Sequence, residues 1–425
     1  MKLYINRLNY DNNALFIILE GIAYTIVLNI YSPFVLMFAK RMGANDFHIA
    51  LLNSLPPLVA VFVLIPCGIL IEKANRKKRA ASLMILLNAI FYAVIAFVPF
   101  IPGQVKIIIY IILIGLMNWP GSLYITTWQS FFADIFSGSN ANRVYSLRSK
   151  YSAFFGLLAA LFGGLILTEI PGNDAERLIA YQAFYLACFV ITLVQLYFLS
   201  KVRSGPSTAS DGKLPAAVPF RLSSFKEIFR NKGFMVFCLC TFLFHISWQM
   251  GWPLFFLYNV DHAGLNEFQL GMISVIAGAT SFLSYSLWSR FIEKKGTRLV
   301  IIIGALGLAL NPFFFTSLLS FYAIILVNVL AGFSGAGFTY TLFCSLLETL
   351  PEDKKTIYIS MFNTFINISG FISPFIGIWL YKLTGIYTAF FIIAVLRMMA
   401  SSFYIVRWWT GRKINSSSMD HTLGA

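Results

Sequence analysis

Twelve stretches of this chain are long and apolar enough to cross a lipid bilayer, running roughly over 13–38, 47–71, 81–100, 106–134, 146–168, 177–200, 234–259, 268–290, 298–317, 320–347, 356–380 and 384–408. A bilayer's hydrocarbon layer takes about 20 consecutive apolar residues in a helix. With 58% hydrophobic residues and a mean hydropathy of +0.76, the chain is no soluble globular domain. It reads as an all-α integral membrane protein. Spans four and ten are long enough to be single tilted helices running past the bilayer. Pro33, Pro56, Pro57, Pro120, Pro253 and Pro374 fall inside spans, where neighbouring helices can satisfy the backbone groups they free.

The formal net charge of +15 is distributed by loop, with no basic stripe of the kind that reads nucleic acid. One set of loops holds Lys73, Arg76, Lys77, Lys78 and Arg79, the long connection 202–232, and Lys294, Lys295 and Arg298. The other holds Lys40, Arg41, Lys106, Arg177 and Lys382, together with Asp46, Glu169, Asp174, Glu176, Asp261 and Glu267. The positive-inside rule puts both termini and the long connection in the cytoplasm. Short loops point to a bacterial cell (inner) membrane. Lys2 and Arg7 precede a first span with no small-residue cleavage site, so that span is expected to be retained. Connection 202–232 divides the spans six to six and is expected to be a flexible cytoplasmic linker with a basic amphipathic stretch at Phe220–Phe229. The expected parts are bundles over 1–201 and 233–410 and a flexible cytoplasmic tail over 411–425. Cys67, Cys188, Cys238, Cys240 and Cys344 all lie in apolar spans and read as small core residues. Cys238 and Cys240 stand about 200° apart on a helix, which makes no metal face. No cofactor is implied.

The two halves share a local pattern. Phe47–Lys73 opens Phe-His-Ile-Ala-Leu-Leu and closes Ile71-Glu72-Lys73, whereas Phe268–Lys294 opens Phe-Gln-Leu-Gly-Met-Ile and closes Ile292-Glu293-Lys294. Both ends keep one offset, 268 − 47 = 292 − 71 = 221. Each copy is a hydrophobic span ending in a basic cluster. A duplicated membrane domain points to a transporter whose site lies between its repeats.

The stretch Gly68-Ile-Leu-Ile-Glu72-Lys73-Ala-Asn75-Arg76-Lys77 resembles the loop signature of the major facilitator superfamily. That signature runs Gly, three residues, Asp, Arg, one residue, Gly, Arg, Arg/Lys. Glu72, Lys73 and Asn75 replace its Asp, Arg and second Gly. Asn tolerates a left-handed backbone better than other residues with a Cβ. The second copy, Ser289 to Arg298, carries Glu293, Lys294 and Gly296. The resemblance covers the whole chain and implies two pseudo-symmetric six-helix bundles around a central cavity, working as a monomer by alternating access. It implies that spans 1, 4, 7 and 10 line the cavity while 3, 6, 9 and 12 face lipid.

An ionisable group inside a membrane is a functional candidate by default. Glu20 lies about five residues from the middle of span one, with Tyr24 and Tyr31 within about 40° of its face. It is the candidate proton carrier, and several proton-coupled members of the superfamily use a span-one acid. His245, Trp248, Gln249 and Trp252 share one face of span seven, and aromatic walls with a few polar groups suit a small-molecule pocket. Tyr124 and Trp128 share a face of span four; Tyr340, Asn363 and Asn367 complete the cavity candidates. Asp134 with Arg148 is the preferred cytoplasmic gate pair, and Glu348 ends span ten at a corresponding place. Arg397 sits mid-span in span twelve, snorkelling or paired internally.

No P-loop is present, and four scattered histidines offer no catalytic cluster. The expectation is a non-enzymatic secondary transporter of a small organic solute, coupled to protons, with lipid and solute as its partners. The alternative is a multidrug/proton antiporter, which the resemblance weakens. Span five lacks the glycine-proline motif, and span four the buried Arg, that such exporters often carry. A sensor or lipid scramblase on the same scaffold is a third reading.

Overall fold

A computed structural model describes residues 12–74, 77–136, 138–203, 229–317, 320–349 and 355–423. Twelve helical stretches among them are long and apolar enough to span a membrane, and no strand occurs among the described residues.

The first span is α1 (Asn12–Tyr31), a 3-10 turn at Ser32–Phe34 and α2 (Val35–Arg41). Pro33 explains the interruption, because it has no N–H to continue the ladder. Then follow α3 (Asp46–Ala74), α4 (Lys77–Ala96), α5 (Val105–Ile135), α6 (Gly138–Glu169) and α7 (Asp174–Lys201). The 31 residues of α5 form one helix through Pro120, roughly 46 Å long at ~1.5 Å per residue. Local chemistry sets where α7 begins. Asn173 Oδ1 accepts the Glu176 N–H at 2.9 Å, and the Glu176 carboxylate accepts the Gly172 N–H at 2.7 Å. These are reciprocal caps for otherwise orphaned donors.

The seventh span is α8 (Lys232–Gln249) and α9 (Gly251–Leu257), parted at Met250 and closed by a π turn at Tyr258–His262. The chain continues with α10 (Glu267–Lys295), α11 (Thr297–Phe314), α12 (Phe321–Thr349), α13 (Lys355–Thr384) and α14 (Ile386–Leu423). At Gly296 the backbone takes φ +78°, and its N–H returns to Ile292 O at 2.8 Å. A left-handed residue of this kind stops a helix and favours glycine, so the second signature copy ends on a built helix stop. Helical backbone runs to Leu423, and no proline occurs after Arg397 to stop it.

Contacts divide the chain into two units: Met1–Pro219 with Asn266–Val275, and Phe220–Leu265 with Ile276–Ala425. Residues 204–228, most of the expected linker with nearly all of its amphipathic stretch, lie outside those described. The head of α10 joins the first unit for a visible reason. Glu267 is 1% exposed and holds Arg41 at 3.0 Å, Arg41 reaches Asp174 at 2.9 Å, and the Phe268 N–H donates to Thr168 Oγ1 at 2.9 Å.

The first unit packs around Ile17, Ile85, Tyr124, Trp128, Phe132 and Leu199. The second packs around Phe237, Phe244, Phe338, Phe362 and Tyr404. Exposed apolar stripes at helical spacing run down α4 (Leu83, Leu86, Ile90, Val94) and α11 (Ile303, Leu306, Leu310, Phe313). Spans six and twelve carry the same pattern in Leu186, Val190, Val194 and Tyr197 and in Tyr387, Phe391, Val395 and Met398. Stripes of this size suit lipid and not water.

Candidate functional site

Glu20 is fully buried on α1, and side chains from three other helices of its unit converge on it. Gln195 Nε2 on α7 donates to Oε1 at 2.8 Å, and Tyr124 on α5 donates to the same oxygen in a short hydrogen bond. Arg148 on α6 donates from Nη2 to Oε2 at 3.3 Å. The Arg148 guanidinium also lies 3.9 Å above the Trp128 ring, a cation–π contact in a dry site. Tyr24 packs its ring 5.1 Å from that of Tyr124. Gly21 makes the approach possible, since a side chain there would collide with the Arg148 stem. Each partner of Glu20 can donate, so a carboxylate is satisfied here on both oxygens. Removing Arg148 would leave a buried charge without its counter-charge.

Among the described residues, Arg148 forms its ion pair with Glu20. Helix α6 starts at Gly138, earlier than expected, so Arg148 lies ten residues into it (148 − 138), about 15 Å from the helix start at ~1.5 Å per residue. That depth brings it level with Glu20. The side chain of Asp134 lies outside the described residues. Gln195 escaped the sequence reading, although a signal existed. With Cys188 and Thr192 it forms the buried face of α7, opposite the exposed stripe.

In the second unit, the shared face of span seven grades from buried to open. His245 is buried, with Nδ1 2.9 Å from Thr241 O one turn back. Gln249 is buried and accepts from Ser369 Oγ at 2.7 Å. Trp248 is half-buried against His245, Trp252 and Phe338, with ring centroids 5.4, 6.1 and 5.6 Å away. Trp252 is exposed. The two tryptophans are therefore the available members of this face, and the two polar side chains are held by the protein.

Each other candidate has local contacts of its own. Tyr31 lies eleven residues, about 16 Å, along the first span from Glu20, against Tyr92 and Tyr185 at 5.2 and 6.2 Å. Tyr340 sits edge-on to Tyr285 at 6.1 Å. Asn363 is exposed, and Asn367 donates to the Asn363 carbonyl of its own helix at 2.9 Å. Gly68, Glu72 and Lys73 follow the helical backbone of α3, but their side-chain positions, like Arg76 entirely, lie outside the described residues. Lys77 opens α4, half-buried. Glu293, Lys294 and Arg298 are exposed around Gly296. Glu348 accepts from Thr297 Oγ1 at 2.8 Å, tying α12 to the start of α11.

The sequence model of the Major Facilitator Superfamily matches residues 15–242 and again 237–418. The chain belongs to that superfamily. It is a multi-pass membrane transporter and not an enzyme. The fold agrees. The nucleoside transporter NupG is similar with a TM-score of 0.71 at 15% identity, covering 94% of this chain and 99% of that one. A D-xylose–proton symporter is similar at 0.67 and 13%, over 92% and 95%. A bacterial homologue of the human lysosomal transporter Spinster, inward-facing and unoccupied, is similar at 0.64 and 14%, over 93% and 95%. No curated protein matches by sequence.

Proposed function

We propose that this superfamily member moves a small hydroxylated organic solute, of the nucleoside or sugar class, in symport with protons. It sits in a cell membrane with both termini on the cytoplasmic side. The observation that carries the reading is the convergence of α1, α5, α6 and α7 on one buried carboxylate. A proton arriving on Glu20 cancels its charge and weakens its hold on Arg148. The freed guanidinium, beside the aromatic surfaces of Trp128 and Tyr124, then offers donors to solute oxygen atoms. Proton and solute thus compete for one set of hydrogen bonds, and two conformations with different affinities for each are coupled by that competition. Similarity to a nucleoside transporter and to a D-xylose–proton symporter supports the solute class. Aromatic faces with a few polar groups are what such solutes require.

The test is uptake of radiolabelled uridine and D-xylose into proteoliposomes with an imposed pH gradient. Accumulation of one of them is expected, abolished by a protonophore. Glu20→Gln should keep solute exchange at equal concentrations and lose accumulation. Accumulation that ignores the pH gradient, or survives in Glu20→Gln, removes proton coupling at this residue.

A further inference from the structure

Arg397 is 1% exposed on α14, in the middle of the twelfth span, and none of its described hydrogen bonds goes to a carboxylate. Its three described donors all meet main-chain carbonyls. Nε donates to Ser247 O at 3.1 Å, Nη2 to Trp248 O at 2.7 Å and Nη1 to Leu308 O at 3.0 Å. The carbonyls lie where helical ladders are interrupted. In α11, Leu308 O would accept the N–H of residue 312, and residue 312 is proline, which has none. In span seven, Ser247 and Trp248 lie in the last turn of α8, which ends at Gln249 before the break at Met250. Pro253 follows in α9 and leaves the neighbouring Gln249 O without its helical donor, so the ladder is interrupted beside these two carbonyls. Helix-end carbonyls carry partial negative charge, so the C-terminal end of α8 supplies the counter-charge that no described carboxylate does. Gly251 opens the path, since a Cβ there would stand 2.6 Å from Nη2. The guanidinium also lies 5.6 Å from the Phe255 ring on α9, so it touches both sides of the break.

We propose that Arg397 is a positioning residue that pins the break in span seven, fixing the angle between α8 and α9 and with it the posture of Trp248 and Trp252. That these tryptophans meet a solute rests on the proposed transport function and on the sequence expectation for span seven; the pinning does not.

The experiment is hydrogen–deuterium exchange of the full chain in nanodiscs, comparing wild type, Arg397→Met, Arg397→Lys and Gly251→Ala. Methionine keeps bulk and removes all donors, so exchange over 247–257 should rise roughly tenfold while α10 and α12 stay unchanged. Lysine, with one donor group, should give an intermediate rise. Gly251→Ala, the milder variant should Arg397→Met fail to fold, should reproduce the local rise by displacing Nη2. Unchanged exchange over 247–257 in Arg397→Met and Gly251→Ala overturns the proposal, as does a rise spread evenly over the second unit. Uridine and D-xylose uptake by the same proteins separates the two ideas. A local rise with an unchanged KM leaves the pin standing and removes Trp248 and Trp252 from the solute path. A raised KM at constant maximal rate supports both.

Discussion

Each unit buries a charge in its interior, and the two are neutralised in different currencies. Glu20 is held by side chains of three other helices, and Arg397 by backbone oxygens of two. Side-chain partners can swing away, accept a proton or turn toward a solute. Carbonyls fixed in helices can do none of these. The first arrangement suits a switch and the second a brace. A transporter whose charge pairs were all of the second kind would have nothing to exchange with its cargo.

The largest expected effect separates the two directly. Arg148→Gln removes the only described cation on Glu20, and thermal unfolding in detergent should show a loss of about 3–5 kcal/mol. Glu20→Gln in the same protein should recover most of it. Failure to recover would mean that Arg148 stabilises by packing on Trp128 and that the charge pair is incidental. Next, Pro312→Ala gives Leu308 O its own helical donor. A double-mutant cycle with Arg397→Met should then show coupling of about 1.5–3 kcal/mol, the worth of one hydrogen bond to a charged group. Additive effects would show that Arg397 does not serve the carbonyl freed by Pro312. Gln195→Leu, which strips one neutral donor from Glu20, should cost about 1–3 kcal/mol in the same unfolding assay. An effect near zero would leave Tyr124 and Arg148 as the whole of the hub. Ser369→Ala is the smallest, about 0.5–1.5 kcal/mol for one neutral bond to Gln249. Beyond a modest loss of stability, it should leave uptake unchanged if Gln249 is held for structure.

Much of the membrane architecture was legible in the chain. Apolar run length located all twelve spans, and basic clusters marked the ends of two of them. The breaks at Ser32 and Met250 were not foreseen, although Pro33 and Pro253 were noted, because hydropathy is blind to a ladder interrupted within an apolar run. Glu20 announced itself as an acid in hydrocarbon. Its partner did not: helical periodicity places residues on faces but says nothing of which residue on another helix stands level with them, and Arg148 met Glu20 across helices. Span seven shows the same limit from the other side. Four residues at the right spacing shared a face, yet two spend their polar atoms within the protein. Arg397 stood out as a mid-span cation, but carbonyl partners have no letter in the sequence. Only Pro312, 85 residues upstream (397 − 312), hinted that one would be waiting.

The three oxygens gripped by Arg397 belong to the main chain, so changing the amino acid at 247, 248 or 308 leaves each oxygen in place. As far as this bond is concerned, the side chains at those positions can change so long as helix geometry survives. The bond is vulnerable instead at sites that never form it: a Cβ at 251 that crowds the guanidinium, or an insertion that rotates α8 by a hundred degrees per residue. A search for compensating substitutions among the bonded residues would thus find nothing, while the restrictions gather at their neighbours.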